Sequence, residues 1–340
     1  MTRLIVAYSE RLGPITDYER RLERDLDADL RRVPLWSPAD VQEFAADADA
    51  VIVGAVEPMD AAALASMARC RILVRRGVGV DNVDIEAATR LGIPVAYVPD
   101  ASVEEVSDHA LALLLTLERK ISTLHGAVKD GVWGRDTTAL IGLRRGIRRF
   151  STLTLGIVGF GRIGQALARK SRSIFGTLVV SDPFASEALA AAHGAALVSF
   201  DELLDQADLV SIHSALTPET RHLFGHETFA RMKRGAYLVN TARGGLVDEQ
   251  ALVAALTRQH LAGAALDVNE QEPLPEDSAL LALPSVLLTG HSAGHSETSS
   301  DELRERAVQA AVDALEGRVP AALANPQVLT SQTSRLTVRG

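Results

Sequence analysis

The chain of 340 residues is too long for one ordinary hydrophobic core, so we predict two domains. With 47% hydrophobic and 23% charged residues, the composition is that of a folded globular protein and excludes a largely disordered chain. The net charge of -9 argues against nucleic acid, and no apolar run approaches the ~20 residues that cross a bilayer, so we predict neither a nucleic-acid nor a membrane partner.

The one cysteine, Cys70, excludes an intramolecular disulfide. The first ten residues, "MTRLIVAYSE", lack the charged, apolar and cleavage segments of a secretory signal. Together these two features predict a reducing, cytoplasmic location.

Short apolar runs alternate with helical patterns along the chain, which is typical of βαβ units and parallel sheets. In the first hundred residues, strands are predicted at "LIVAY", "ADAVIVG", "RILVRR" and "IPVAYVP". Helices are predicted between them, at stretches such as "DYERRLERDLDADL" and "MDAAALASMA".

A long helical segment follows from Ser102, where Glu105 completes a capping-box pattern. Its centre, "ALALLLTL", is apolar on nearly every face and must be covered all round. We therefore predict a homodimer through this helix, with burial inside a single chain as the alternative.

A second βα series extends from "TLTLGIVGFGRIGQAL" to "SVLLTG", and one amphipathic helix then ends at Gly317. The basic run "LRRGIRRF" is interpreted as a solvated loop, with an anion-binding patch as the alternative. The polar tail, residues 327–340, has no periodicity and is expected to be mobile.

The motif G-x-G-x-x-G occurs at Gly159, Gly161 and Gly164, after an apolar strand and at the start of a helical pattern. Those residues would permit a tight turn, close approach of a pyrophosphate, and packing of the helix on the sheet. The pyrophosphate would lie on free N–H groups near Arg162 and Ile163.

An acidic residue, Asp182, ends the next predicted strand, 182 − 164 = 18 residues after the last glycine. At that position a carboxylate accepts hydrogen bonds from an adenosine ribose and repels a 2′-phosphate. The cofactor is therefore predicted to be NAD rather than NADP.

Three later strands are each followed by a charged or titratable residue: Arg243 after one, Asp267 and Glu272 after the next, and His291 after the last. Ligands of doubly wound sheets bind outside the carboxyl ends of the strands, so these groups should converge near the cofactor. The set suits hydride transfer to a 2-oxo acid. An arginine can clamp the substrate carboxylate, a histidine can pass the proton, and a glutamate can favour the charged imidazole.

The pair His291 and His295 has the spacing of a metal pair, but Gly290 and Gly294 interrupt the helix that such a pair needs. We interpret His291 as the proton carrier and predict no metal. His295 either lines the cleft or is exposed.

The chain resembles the D-isomer-specific 2-hydroxyacid dehydrogenases from about Arg71 to Pro326. The resemblance rests on "GVGVDNVD", "VPDASVEEV", "GFGRIGQ", "LTPETRHLF", "VNTARGGLVDE", "ALDVNEQEP" and the histidine loop. The branch that contains C-terminal-binding proteins and phosphoglycerate dehydrogenases looks closest. Two positions depart from the family pattern, since Gly290 and Ala215 stand where proline is usual.

The resemblance implies an α/β fold of two Rossmann-like, doubly wound parallel-sheet domains. A flavodoxin-like substrate domain would comprise residues 1–101 and 293–326, and an NAD-binding domain, residues 102–292, would be inserted into it. A cleft between the domains would close before the chemistry.

The resemblance also implies roles for individual residues. Arg243, Glu272 and His291 match the catalytic triad, and Asp267 matches the residue that holds the nicotinamide carboxamide. Val78 and Gly79 resemble a backbone-amide cradle for the substrate carboxylate. The cofactor-binding residues that we predict are Gly159, Gly161, Arg162, Ile163, Gly164, Asp182, His213, Thr217, Thr241, Ala242 and Asp267.

Arg75 and Arg76 end a strand, where successive side chains point to opposite faces. By resemblance Arg75 faces the substrate, where it would suit a second anionic group; a salt bridge within the domain is the alternative. The main hypothesis is an NAD-dependent oxidoreductase that interconverts a small 2-oxo acid and the D-2-hydroxy acid. The alternative is an NAD(H)-responsive, corepressor-like binding protein with incidental dehydrogenase activity.

Overall fold

The structure is a computed structural model that describes residues 3–336. The described chain divides into two compact units, one of residues 3–102 and 296–336 and the other of residues 103–295. The predicted crossings, after residues 101 and 292, differ from these divisions by one and three residues.

The first unit contains a five-stranded parallel sheet in the order β2-β1-β3-β4-β5. This is the flavodoxin-like strand order. Its strands are β1 (Ile5–Ser9), β2 (Asp29–Val33), β3 (Ala50–Val53), β4 (Ile72–Arg75) and β5 (Val95–Tyr97), and its helices are α1 (Arg21–Leu26), α2 (Pro38–Phe44), α3 (Ala61–Ser66), α4 (Ile85–Arg90) and the last helix of the chain, α14 (Glu297–Glu316).

Helices cover both faces of this sheet, as a parallel sheet requires. One core contains buried side chains of α2, α3 and α4, and the other contains side chains of α1 and α14. The last helix ends where the sequence predicts, because Gly317 adopts the left-handed conformation, with φ 84°, that terminates a helix.

Strand β2 was not predicted. The sequence suggested a helix up to Leu30, but α1 ends at Leu26 and Asp27 adopts a left-handed conformation, with φ 49°. Strand β2 lies at the edge of the sheet, and its Arg31 forms ion pairs with Asp29 and Asp47. A charged edge strand lacks the apolar pattern by which a strand is recognised, and its charges disfavour pairing with another chain.

The tail packs against the first unit as far as the structure describes it. Val328 and Leu336 are buried, and Arg335 donates hydrogen bonds from its guanidinium to the carbonyl oxygen of Met67 and from its backbone N–H to Gly92. Residues 327–336 are thus packed in this structure, residues 337–340 lie outside the described residues, and the mobility of the tail stays a prediction.

We expect Gly92→Ala to weaken the docking of this tail. A Cβ on Gly92, where φ is 73°, would lie 1.8 Å from the carbonyl oxygen of Thr333. The clash should lower the free energy of unfolding by about 1–3 kcal/mol, measured as a shift of the urea midpoint. Gly13→Ala is the matched control, because φ is 89° there but the nearest atom to a Cβ lies 3.8 Å away. Equal losses of unfolding free energy in the two variants would show that docking of the tail does not stabilise the fold.

The second unit contains a seven-stranded parallel sheet in the order β12-β11-β10-β9-β6-β7-β8, a Rossmann arrangement with the order reversed on either side of β6. Its strands are β6 (Thr154–Val158), β7 (Thr177–Ser181), β8 (Ala196–Leu197), β9 (Leu209–Ile212), β10 (Tyr237–Asn240), β11 (Gly263–Leu266) and β12 (Val286–Leu288). Its helices are α5 (Val103–Arg119), α6 (Ile121–Lys129), α7 (Val132–Arg135), α8 (Thr137–Leu143), α9 (Arg162–Ser171), α10 (Glu187–Ala192), α11 (Phe200–Gln206), α12 (His226–Arg231) and α13 (Glu249–Thr257).

The long segment that follows Ser102 is two helices rather than one. Lys120 takes a left-handed conformation, with φ 52°, between α5 and α6. One face of α5 packs on the sheet through Leu113, Leu114 and Leu117. No helix in the described part of the chain is both long and apolar enough to span a membrane.

The basic run that we interpreted as a solvated loop is partly structural. Arg144, Arg145 and Arg149 are exposed, but Arg148 forms ion pairs with the buried Glu118 at 2.7 Å and with Asp208 at 3.3 Å. The pairing joins this segment to the end of α5.

Candidate active site

The glycine motif forms a tight turn between β6 and α9. Gly159 has φ 91°, and a Cβ there would lie 2.6 Å from the carbonyl carbon of His213. A Cβ on Gly164 would lie 2.2 Å from the carbonyl oxygen of Gly159, so side chains are excluded at both positions. At Gly161 a Cβ would meet nothing within 4 Å, which leaves that side of the turn open.

The start of α9 is suited to an anion. Gly161 is the N-cap and offers no side-chain acceptor to the N–H groups of Arg162 and Ile163. Uncapped N–H groups at the positive end of a helix favour a phosphate. The motif therefore fits a dinucleotide pyrophosphate.

Asp182 follows β7 and is held by backbone groups on two sides. Its Oδ2 accepts a hydrogen bond from Phe160 N at 2.7 Å, and its Oδ1 accepts one from Phe184 N at 2.8 Å. The first bond fixes the carboxylate beside the glycine turn. A cavity of about 500 Å³ adjoins it, and its lining includes Asp182, Pro183, Val198 and Phe200.

Other predicted cofactor residues lie at the same carboxyl edge of the sheet. His213 follows β9, Thr241 follows β10, and His213 Nδ1 and Thr241 Oγ1 are buried with no hydrogen-bond partner among residues 3–336. Burial lowers the pKa of His213 to about 4, so its imidazole is neutral at physiological pH. Unsatisfied buried polar atoms at this edge fit a site that a polar cofactor completes.

Two further predicted cofactor residues already have local partners. The Thr217 hydroxyl forms hydrogen bonds with the N–H and the hydroxyl of Thr220. Ala242 donates its N–H to Asn240 Oδ1 and accepts from the Arg243 guanidinium at its carbonyl oxygen. Contact with a cofactor would have to involve their remaining surface.

His291 and Glu272, the predicted acid–base pair, are in contact. His291 Nδ1 lies 2.6 Å from Glu272 Oε2, and Glu272 Oε1 accepts a hydrogen bond from Asn269 N at 3.0 Å. The hydrogen bond to Glu272 raises the pKa of His291 although burial opposes the change. Burial favours a higher pKa for Glu272, but the hydrogen bonds from His291 and Asn269 outweigh burial and leave it below its ordinary value. Both shifts favour an imidazolium–carboxylate pair.

Arg243 lies close enough to this pair to influence both members. Its positive charge lowers the pKa of Glu272 and opposes the rise in that of His291. Its backbone is braced, since Asn240 Nδ2 donates to its carbonyl oxygen at 2.9 Å. The next residue, Gly244, has no room for a side chain, because a Cβ would lie 1.9 Å from the carbonyl oxygen of Asn269. The loops that carry Arg243 and Glu272 are therefore packed together.

The loop that carries His291 is held by Asp267, which follows β11 and is buried. Asp267 Oδ1 accepts from Ser292 N at 2.9 Å and from Thr289 Oγ1 at 2.6 Å, while Oδ2 accepts from Ala293 N at 3.0 Å. Its backbone oxygen accepts from His291 N at 2.6 Å. Asp267 thus binds residues on both sides of His291.

Gly290 departs from the family pattern in conformation as well as in identity. Its φ is 60°, and that of His291 is 56°. Proline is restricted to φ near −65° and could not adopt the conformation of Gly290. The substitution of glycine for the usual proline therefore does more than loosen the backbone, since it permits a left-handed turn.

Two side chains at this site were not predicted. His109 of α5 lies 3.0 Å from Thr289 Oγ1, measured from Nε2, and Thr289 in turn contacts Asp267. The only sequence signal was that Thr289 directly follows β12, two residues before His291.

The predicted substrate residues Arg75, Val78 and Gly79 lie in the first unit, at the carboxyl end of β4. No hydrogen bond among residues 3–336 uses the backbone N–H of Val78 or Gly79. Arg76 instead turns inward, where it donates to Tyr8 Oη and to the carbonyl oxygen of Leu12. Arg75 folds over Gly77, whose Cβ would lie 1.4 Å from Arg75 Nη1.

His295 is exposed and directly precedes the N-cap of α14. In the region the structure describes, no group of three or more His, Cys, Asp or Glu side chains could hold a metal ion.

Comparison with known proteins identifies relatives of this chain. The family model for "D-isomer specific 2-hydroxyacid dehydrogenase, NAD binding domain" matches residues 111–293. D-3-phosphoglycerate dehydrogenase 2, chloroplastic, of Arabidopsis thaliana is 36% identical over 306 residues, which is 88% of this chain and 47% of that protein. The chain thus spans about half the length of the curated relatives it matches.

Two solved structures resemble this chain over more than nine-tenths of both lengths. The TT0316 protein from Thermus thermophilus has a TM-score of 0.84 at 34% identity, covering 94% of this chain and 100% of its own. A D-lactate dehydrogenase from Aquifex aeolicus, complexed with NAD and lactic acid, has a TM-score of 0.81 at 29% identity, covering 92% of this chain and 96% of its own.

Proposed function

Because this chain belongs to the D-isomer-specific 2-hydroxyacid dehydrogenase family, we propose that it is an NAD-dependent oxidoreductase that interconverts a small 2-oxo acid and the D-2-hydroxy acid. The observation that carries the proposal is the contact of His291 Nδ1 with Glu272 Oε2 at 2.6 Å. These groups follow strands of the sheet that carries the glycine motif and Asp182.

The bound nicotinamide would supply the hydride, and the protein's own residues handle charge and proton. Arg243 binds the substrate carboxylate through its planar fork of N–H donors and polarises the ketone. His291 has its Nδ1 engaged by Glu272, so its Nε2 is the atom that delivers the proton to the carbonyl oxygen. Glu272 stabilises the imidazolium before delivery, and in the oxidative direction the neutral imidazole accepts the proton.

The direct test is loss of NADH absorbance with a panel of 2-oxo acids, followed by oxidation of matched D- and L-hydroxy acids with NAD. Turnover of the D isomer alone is the expected result. Tight NADH binding without turnover on any acid would instead favour the corepressor-like alternative.

The second prediction concerns Asp182. Replacing this carboxylate with serine should remove the repulsion of a 2′-phosphate and narrow the preference for NADH over NADPH by about tenfold or more. The ratio of kcat/KM values for NADH and NADPH measures the effect. Asp201→Ser, at an exposed carboxylate, is the control and should leave the ratio unchanged. Use of both cofactors with equal efficiency by the unmodified chain would contradict the role given to Asp182.

The third prediction concerns the substrate. We propose that Val78 and Gly79 bind the substrate carboxylate and that Arg75 binds a second anionic group. The relative named D-3-phosphoglycerate dehydrogenase is consistent with a phosphate at that position. Phosphorylated or dicarboxylic 2-oxo acids should therefore exceed pyruvate in kcat/KM, and Arg75→Ala should remove most of the advantage.

Arg76→Ala is the matched control for the substrate. Because Arg76 is bound to Tyr8 and Leu12, its loss should lower stability without changing the ratio between the two substrate classes. Equal efficiency of both classes in the unmodified chain would dispose of the proposal for Arg75.

We also propose a homodimer and a cytoplasmic location. Large apolar side chains are exposed on α6, α7 and α8, directly after α5, among them Ile121, Trp133 and Ile141. Exposed apolar side chains close together in the sequence are typical of a surface that a second subunit covers. Sedimentation velocity over a range of protein concentrations tests the dimer. The single cysteine, Cys70, is buried and suits a reducing compartment.

A further inference from the structure

A chain of polar contacts runs from α5 to the loop of the catalytic histidine. His109 Nε2 lies 3.0 Å from Thr289 Oγ1, and Thr289 Oγ1 lies 2.6 Å from Asp267 Oδ1. His109 Nε2 and Asp267 Oδ1 are themselves 3.7 Å apart. The histidine side chain is 26% exposed and the aspartate side chain 1%, so the chain connects a partly solvated group to a buried carboxylate.

Hydrogen counting assigns a direction to these contacts. A carboxylate only accepts hydrogen bonds, so in the short contact with Asp267 Oδ1 the donor is Thr289, which uses its one hydroxyl hydrogen there. The Thr289 oxygen is then the acceptor for His109, and His109 must carry a proton on Nε2. The order is therefore His109 to Thr289 to Asp267, with each group donating to the next.

Asp267, at the end of this series of polar contacts, determines where His291 lies. Asp267 accepts hydrogen bonds from Thr289, Ser292 and Ala293 through its side chain and from His291 through its backbone. The loop turns through two successive left-handed residues, and His291, unlike Gly290, has a Cβ and needs such support to hold that conformation. Without a donor from His109, the Thr289 oxygen would lack its partner inside the protein, and one end of the loop would be less constrained.

We propose that His109 is a positioning residue, which acts through Thr289 and Asp267 to hold the loop of His291 in its catalytic geometry. This inference rests on the proposed function, because it gives His291 the role of acid and base. Within residues 3–336, His109 forms no hydrogen bond with Glu272 or His291, so its influence passes through the loop.

The experiment compares two replacements of similar length. His109→Gln keeps an N–H donor at a similar reach, whereas His109→Met removes the donor and keeps an apolar chain. Because a misplacement of about 1 Å can cost up to 10²-fold in rate, we expect His109→Met to lower kcat about tenfold and His109→Gln to retain most of it. Rates are expressed per NADH-binding site, so that unfolded protein does not contribute. His226→Met, at an exposed histidine at the start of α12, is the control.

A second pair of variants tests the middle of the chain. Thr289→Val removes the hydroxyl at nearly constant shape and should resemble His109→Met, while Thr289→Ser should resemble the unmodified protein. In the double variant His109→Met/Thr289→Val, kcat should fall no further than in Thr289→Val alone, since both changes break the same chain.

A measurement that needs no turnover separates this inference from the proposed function. Hydrogen exchange of the segment 289–293 reports the N–H groups of His291, Ser292 and Ala293 that Asp267 holds. Losing one supporting hydrogen bond should speed their exchange about three- to tenfold in His109→Met and leave it unchanged in His109→Gln. Absence of turnover in the unmodified chain would refute the function alone, because the exchange comparison still decides the role of His109. Unchanged exchange in His109→Met, or equal changes in His109→Met and His109→Gln, would overturn the inference.

Discussion

Replacing His291 with glutamine should reduce kcat by about 10²–10⁴-fold, the usual contribution of a positioned general acid, while NADH still binds. The reason is specific to the geometry, because Glu272 engages Nδ1 and leaves Nε2 as the proton-carrying atom. Stopped-flow or steady-state NADH oxidation measures the rate, and NADH fluorescence measures binding. His295→Gln is the matched control, four residues further along and exposed, and should retain activity. A His291→Gln enzyme as active as the unmodified chain would end the assignment of His291 as acid and base.

The same assignment predicts opposite pH profiles for the two directions. Reduction needs the imidazolium, so its rate should fall as pH rises through the raised pKa of His291; oxidation needs the neutral ring, so its rate should rise over the same range. In Glu272→Gln the hydrogen bond to a carboxylate is lost, and the alkaline limb for reduction should move to lower pH. A profile that does not respond to Glu272→Gln would show that another group titrates.

Replacing Arg243 should have the second largest effect. Arg243→Lys keeps the positive charge but loses the bidentate fork, so kcat/KM for the 2-oxo acid should fall about 10²-fold; Arg243→Met loses both and should fall about 10³-fold or more. Steady-state kinetics at saturating NADH measures both values. Arg221→Met serves as the control, because Arg221 is exposed and its guanidinium lies beside Gly245, two residues after Arg243.

The pH profile provides an independent check on Arg243. Its positive charge opposes the rise in the pKa of His291, so in Arg243→Met the alkaline limb should move to higher pH, opposite to the shift in Glu272→Gln. Shifts in the same direction for both variants would mean that Arg243 does not act on His291 electrostatically.

The sequence by itself determined the parallel sheets, the glycine turn and the residues that follow the strands. Buried strands of a parallel sheet are short runs of apolar residues, and their carboxyl ends share one edge, so Arg243, Asp267, Glu272 and His291 could be grouped without coordinates. Gly159 and Gly164 were identified from the motif between a strand and a helix. The structure gives the physical reason for these glycines, because the close backbone approach there leaves no room for a Cβ.

The tertiary structure decided the features that depend on polar partners far apart in the sequence. Strand β2 is charged and lies at an edge of its sheet. Arg148 binds Glu118 across 30 residues, and Arg335 binds the carbonyl oxygen of Met67 across 268 residues. The contact of His109 with Thr289 spans 180 residues. A polar side chain shows no periodicity that reveals its partner, since its environment depends on which segments the fold brings beside it. The buried strands and the grouping of Arg243, Glu272 and His291 could therefore be predicted from local pattern, whereas edge strand β2, the docked tail and the support for the His291 loop could not.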